Sequence, residues 1–177
     1  MLDWSSKIQL RIANINDCDR IFEWRNDPDS RKNSLNVEEL VYEDHCVWFS
    51  NAAAEIDRIF YIGELGGRPF GLVSYQILEN QGVRNGTARR EIMVSVNLDP
   101  AARGKRMACP LLVKADRMVT SHCLSENGHQ FADSSRIVAI IRKTNIASLR
   151  TFASAGYQAD EEKQSATVIK FVKEMQK

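Results

Sequence analysis

The chain has 177 residues, enough for one well-buried core and near the usual upper edge of a single-domain length, and it is read as one domain over 1–177. Lys and Arg number 24 against 23 Asp and Glu, so the formal charge of +1 excludes a global pull toward nucleic acid or anionic membrane, and any anion site must be local. The start, Met1-Leu2-Asp3-Trp4, has no basic segment followed by an apolar one, and no apolar run approaches the ~20 residues of a membrane span, so a soluble, cytoplasmic protein is expected.

Ile8-Gln9-Leu10-Arg11-Ile12 alternates apolar and polar residues, the period of a half-buried strand. Asp17 is placed to cap a helix carrying Ile21, Phe22 and Trp24, which ends at Pro28. A second helix is expected over 38–55, with Leu40, Val47, Trp48 and Phe49 apolar between Glu43, Asp44 and His45. The β-rich runs 59–65 and 69–77 flank Gly66-Gly67, good hairpin chemistry, and a third run over 91–98 sets Ile92, Val94, Val96 and Leu98 against Glu91, Met93, Ser95 and Asn97.

After Asp99-Pro100 the period changes to that of a helix, with Met107, Leu111, Leu112, Ala115, Met118 and Val119 as its apolar stripe. The polar stretch 125–135, holding Asn127-Gly128, reads as a mobile loop. Residues 137–141 form a continuous apolar strand, 145–155 a helix stopped by Gly156, and 167–172 a last strand. Cys18, Cys46, Cys109 and Cys123 form no Cys-x-x-Cys pair, which argues against a zinc site or a disulfide framework. They are read as small buried hydrophobes, and no metal is expected.

Arg103-Gly104-Lys105-Arg106-Met107-Ala108 lies between a strand and a striped helix, where unpaired N–H groups and a partial positive charge favour a phosphate. The hexapeptide alone reads equally as a solvated basic turn. In context, Asp99-Pro100-x-x-Arg103-Gly104-Lys105-x-x-Ala108, followed by Asn145-x-x-Ser148-x-x-x-Phe152-x-x-x-Gly156-Tyr157, resembles the GNAT acetyltransferases over roughly 10–157.

That resemblance implies a mixed α+β fold, a mostly antiparallel sheet of about six or seven strands with a splayed centre and about four flanking helices. It implies acetyl-coenzyme A as acyl donor, with Val96 and Leu98 as backbone partners of pantetheine and the thioester carbonyl, which the N–H near Leu98 would polarise. Arg103, Gly104, Lys105, Arg106, Met107 and Ala108 become the phosphate cradle, and Asn145 and Ser148 further cofactor contacts. Two residues depart from the family pattern. Arg106 stands where Gly is usual, and Phe152 stands where a Tyr often protonates the leaving thiolate, which Phe cannot do.

Direct attack by an amine needs a proton acceptor. Glu91 reads either as a solvated strand end or as a carboxylate facing the acceptor pocket, and His45 as a base or as a structural residue beside Trp48. Trp24-Arg25-Asn26 together with His45-x-x-Trp48-Phe49 resembles a GNAT branch that includes the nucleotide-sugar N-acetyltransferases of pseudaminic acid biosynthesis. This implies an amino-sugar or UDP-linked amino-sugar acceptor held by Trp24, Arg25, Asn26, His45 and Trp48; by their chemistry, Arg25 and Arg31 could pair with a diphosphate. Core packing is the alternative for both Trp residues, and a salt bridge for Arg25. Two other functions stay open, a protein N-terminal or ribosomal-protein acetyltransferase and a non-catalytic acyl-coenzyme A binding module. A homodimer is compatible with the sequence, and no nucleic acid or membrane partner is expected.

Overall fold

A computed structural model describes residues 4–78, 83–84, 87–88, 90–126, 135–160 and 165–175. Strand β1 (Ile8–Ile12) leads through a short 3-10 turn to helices α1 (Cys18–Asn26), α2 (Pro28–Asn33) and α3 (Tyr42–Ala54). The hairpin β2 (Arg58–Leu65) and β3 (Arg68–Leu78) turns at Gly66 and Gly67, whose φ of 58° and 74° are the positive values this tight turn requires. A small pair, β4 (Val83–Arg84) and β5 (Thr87–Ala88), precedes β6 (Glu91–Leu98). Then follow α4 (Ala108–Glu126), β7 (Arg136–Arg142), α5 (Ile146–Ser154), β8 (Gln158–Ala159) and β9 (Val168–Glu174).

The main sheet runs β1-β2-β3-β6-β7-β9-β8, with β6 and β7 parallel and the other neighbours antiparallel. Period-two alternation sends its side chains to two cores. On one face, Ile21, Trp24 and Phe49 from α1 and α3 meet Phe60, Ile62 and Leu72. On the other, Leu111, Leu112, Ala115 and Val119 of α4 meet Val73, Tyr75, Ile92 and Val94. Gly63 and Gly71 admit α4 closely, since a β-carbon there would stand 2.4 Å and 3.0 Å from Leu111 methyl groups, and at Gly71 also 2.6 Å from a Leu98 methyl group of β6.

Several elements differ from the sequence expectation, each for a local reason. Pro28 ends α1 but also starts α2, because Asp27 Oδ1 accepts the N–H groups of Asp29 and Ser30 at 3.1 Å and proline suits the first helical position. Asp17 does not cap α1 through its side chain; its carboxylate takes a bidentate contact from Arg11 at 2.7 Å and the Asn14 N–H. Helix α3 begins at Tyr42 rather than residue 38, because the preceding backbone is claimed by Asn26 and Asn36 side chains.

In α4 the buried stripe includes Asp116, while Met118 faces outward. Asp116 is accommodated by the Tyr75 and Tyr157 hydroxyls at 2.7 and 2.9 Å and Lys173 Nζ at 2.8 Å. Helix α4 continues through Glu126, past the expected loop start at residue 125, and Asn127, Gly128 and His129 lie outside the described residues. Gly156, with φ of 89°, stops α5, and Tyr157 N–H returns to the Phe152 carbonyl at 3.0 Å. Cys18 and Cys123 are buried, whereas Cys46 and Cys109 are only half-buried, so the small-hydrophobe reading fits the first two better.

Candidate functional site

The central parallel pair is joined for only three residues, Glu91 to Met93 against Arg136 to Val138, and then diverges. Asp99 N–H donates to the Phe70 carbonyl at 2.9 Å, which continues the β3 register and puts odd-numbered β6 residues in the bonded pairs. The N–H and C=O groups of Val96 and Leu98 therefore point to the side β7 has vacated. A cleft of about 270 Å³ lies there, lined by Val96, Leu98, Arg103, Ala108, Asn145 and Ser148, all nominated from the sequence. Asn145 caps α5 by accepting the Ser148 N–H at 3.1 Å, so the cleft has helix starts at α4 and α5 beside it.

Between Arg103 and Ala108 the chain makes a tight loop with Gly104 at φ 73° and Arg106 at φ 59°. Trp4 anchors it by donating its indole N–H to the Lys105 carbonyl at 3.1 Å. The loop delivers the N-terminus of α4, where unpaired N–H groups and the helix dipole favour an anion, and exposed Lys105 and Arg106 add charge. Two of the nominated cradle residues have side chains engaged elsewhere. Met107 is only 3 % exposed and packs in the core, and Arg103 turns away to Asp27 at 2.6 Å and to Ser30 Oγ at 2.9 Å. Arg106 adopts the left-handed geometry that glycine would hold without strain, so Arg106→Gly is expected to stabilise the fold by about 1 kcal/mol, measurable from the urea midpoint.

A second cavity of about 590 Å³ opens on the α1 and α3 face, with Arg25, Asp44, His45, Trp48, Ser74 and Gln76 in its wall. It meets the first at Arg25, Ser95 and Asn97, which line both. Ser95 Oγ and Ser74 Oγ are 2.8 Å apart on its floor. Trp48 is 44 % exposed at the wall, while His45 is 4 % exposed and both its ring nitrogens are buried without a hydrogen bond of good geometry. Burial holds the His45 pKa below the ordinary imidazole value; the Cys18 backbone opposes this and the Arg25 charge reinforces it. His45 is thus a neutral wall residue whose nitrogens are closed to a ligand, which corrects its reading as the base.

Trp24 and Asn26 do not line the cavity. Trp24 is 3 % exposed in the α1–α3 core, so it cannot stack on a ligand. The Asn26 amide is spent on Leu40, donating to its carbonyl at 2.9 Å and accepting its N–H at 2.8 Å, while Arg25 Nη2 donates to the Asn36 carbonyl at 2.8 Å. These two residues fasten the segment 34–41, of which Glu39, Leu40 and Val41 wall the cavity. Arg31 pairs with Glu39 at 3.2 Å on the same segment. Asn26→Ala removes both bonds to Leu40 and is expected to speed exchange of the Leu40 amide at least about tenfold, as read by hydrogen–deuterium exchange.

Glu91 is also displaced from the expected role. It is 8 % exposed and lies in an ion cluster, with Lys170 Nζ at 2.7 and 2.8 Å and Arg136 Nη2 at 2.6 Å, at the joined end of β6 and β7. Burial would raise its pKa, but hydrogen bonds and charge from Lys170 and Arg136 hold it below the ordinary value. A carboxylate so committed is a poor proton acceptor, and it lines neither cavity.

Ser74, Gln76 and Asp44 were missed in the sequence. Strand alternation in 69–77 marked Ser74 and Gln76 as one face, but without the sheet order nothing said that this face is open. Among the described residues no group of three or more His, Cys, Asp or Glu is placed to hold a metal, and no helix is long and apolar enough to cross a membrane.

No protein-family model matches the sequence, and no curated protein matches it. Solved structures do resemble the fold. Aminoglycoside acetyltransferase AAC(6′)-Ib with ribostamycin and coenzyme A aligns with TM-score 0.72 and 15% identity over 95% of this chain and 93% of that one. Spermidine N-acetyltransferase of Vibrio cholerae with coenzyme A and spermine gives 0.72 and 12% over 96% of each chain. An acetyltransferase of the GNAT family from Streptococcus pneumoniae gives 0.66 and 15% over 96% and 99%. The chain therefore has the GNAT fold, a mostly antiparallel sheet of seven strands.

Proposed function

We propose that this chain is an acetyl-coenzyme A-dependent N-acetyltransferase that acylates the primary amine of a small molecule by direct attack in a ternary complex. The observation that carries the reading is the meeting of two cavities on β6, one beside free strand edges and a helix start, the other walled by polar and aromatic side chains. An extended pantetheine arm would add to β6 through the Val96 and Leu98 backbone, as a peptide strand does, with the diphosphate at the Gly104 to Ala108 turn. The residues present fit that group. Among the described residues the Val96 backbone and the Leu98 N–H lie along a cleft with no strand partner on that side, and the Leu98 carbonyl accepts only from Arg103 Nη2 at 3.4 Å. The exposed Lys105 and Arg106 lie in the turn that leads to Ala108 in the cleft wall. Acetyl-coenzyme A supplies the activated acyl group; the chain supplies proximity and a polar junction at Arg25, Ser95 and Asn97.

The amine must arrive without its proton. Asp44, in the first turn of α3 and exposed in the cavity wall, attracts an ammonium, and the proton passes to water. Phe152 lines the cleft and the Tyr157 hydroxyl is committed to Asp116, so the thiolate departs without a tyrosine acid. A volume of about 590 Å³ suits a small molecule rather than a peptide groove. The like-folded structures with ribostamycin and spermine are consistent with amine acceptors of that size.

For the acceptor we favour an amino sugar, nucleotide-linked, over a polyamine. Arg25 and Arg58 balance Glu39 and Asp44 in the wall, whereas a polycation calls for an acidic lining, and Trp48 offers a face to a sugar ring. Thiol release from acetyl-coenzyme A, followed with aminated UDP-sugars, aminoglycosides, polyamines and peptides, tests this. Turnover is expected with the sugars. Turnover with polyamines or peptides alone would overturn the acceptor class, and tight cofactor binding with no turnover on any amine would favour the binding module that Phe152 suggests.

A further inference from the structure

A chain of hydrogen-bonded side chains, Arg103, Ser30 and Asn97, crosses the meeting point of the two cavities. The Arg103 guanidinium, held by Asp27 at 2.6 Å, can only donate, and its Nη2 gives a hydrogen bond to Ser30 Oγ at 2.9 Å. The Ser30 hydroxyl then donates its own proton to Asn97 Oδ1 at 3.0 Å. With Oδ1 assigned to face Ser30, the Asn97 NH2 group is turned the other way. Asn97 lines both cavities, and its Nδ2 has no acceptor among the described residues. A donor-only group therefore faces the place where the two cavities join.

Building on the acetyltransferase reading, we infer that the Asn97 side-chain amide donates to the thioester oxygen at the cavity junction and stabilises the oxyanion, with Ser30 and Arg103 as its positioning residues. The amine nitrogen attacks the thioester carbon, and the C=O π pair moves onto oxygen as the C–N bond forms. That oxygen, now negative, is held by Nδ2–H. Its collapse re-forms C=O and breaks C–S, coenzyme A leaves as thiolate, and the surplus amine proton goes to water. The assignment also explains why Arg103, placed by sequence in a phosphate loop, turns toward α2 instead. A positioned donor stabilises the charge that develops in the transition state, and removing one lowers kcat about 100-fold. The Ser30→Ala change leaves the donor present but free to rotate, so a smaller loss is expected.

The test uses the full chain with bound acetyl-coenzyme A carrying ¹³C at the carbonyl, read by difference infrared spectroscopy, with calorimetric affinity and urea midpoints measured beside it. In the wild type the thioester band is expected at lower frequency than for acetyl-coenzyme A in water, because a fixed, oriented donor weakens C=O more than the fluctuating hydrogen bonds of water do. In Asn97→Ala it should return to the free value with affinity retained, in Ser30→Ala it should broaden between the two, and kcat should fall with KM for acetyl-coenzyme A little changed. A wild-type protein that binds no acetyl-coenzyme A would defeat the functional reading itself. Binding with a shifted band that Asn97→Ala leaves in place, or a kcat that this variant retains, would overturn the role of Asn97 alone.

Discussion

Replacing Glu91 by Ala should destabilise the fold by about 3–5 kcal/mol, the usual cost of stripping a buried ion of its partner. The reason is Lys170. Its side chain is 7% exposed, and Glu91 accepts from it at 2.7 Å and from Arg136 at 2.6 Å, so the variant would leave an ammonium inside the sheet facing a second cation. These three residues join β6, β7 and β9 where the parallel pair is still closed, so they fix the point from which the strands diverge. Glu91→Leu with Lys170→Met should recover part of the loss, because an apolar pair of similar volume removes the desolvation costs of both ions, while among the described residues Arg136 keeps only the Asp160 carboxylate at 3.9 Å. A carboxyl whose folded pKa lies below its unfolded value, near 4.3 for Glu, binds protons less readily folded than unfolded. Its stabilisation is present above that value and lost as pH falls through the lowered one. Urea midpoints at pH 7 and pH 3 should therefore converge between wild type and Glu91→Ala; a gap that stays constant would remove Glu91 from the acid response.

Reversing charge at the loop, Lys105→Glu with Arg106→Glu, should weaken acetyl-coenzyme A about 100-fold at low salt. Charge-assisted hydrogen bonds contribute roughly 1.5–3 kcal/mol each, and exposure lowers that figure, but reversal adds repulsion to the lost attraction. Both side chains are exposed, so the deficit should shrink as ionic strength rises and the Debye length falls. Pantetheine, which lacks the diphosphate, should bind both proteins alike. Calorimetry over a salt series separates this from misfolding, since a misfolded loop would also lose pantetheine.

Much of the fold was legible because hydrophobic period is a direct record of burial. The runs at 8–12, 59–65, 69–77 and 91–98 became strands β1, β2, β3 and β6 with small changes at their ends. Asp116 shows the limit of that signal, since a carboxylate in a buried stripe is invisible until Tyr75, Tyr157 and Lys173 are brought to it from three other elements. Helix α2 was lost because Pro28 serves both as terminator and as first residue.

The cleft residues came from a different source, the resemblance of the 99–108 and 145–157 motifs to the GNAT acetyltransferases, which nominated them by position. Val96, Leu98, Ala108, Asn145 and Ser148 do line the cleft. Side-chain roles were much less visible. Trp24-Arg25-Asn26 looked like a ligand-binding triplet, yet Trp24 packs in the core and Asn26 holds the Leu40 backbone, leaving Arg25 at the junction. Glu91 and Asn97 share a face of β6, but only the tertiary structure shows that the first meets two cations and the second an open cavity.

The central claim is that diverging strands and the start of α4 together hold acetyl-coenzyme A. Titrating it into the full chain by calorimetry should give saturable heat at one molecule per chain, with 3′,5′-ADP binding more weakly because it cannot pair with β6. An isotherm with no saturable heat, under conditions where the protein is folded, would contradict the account.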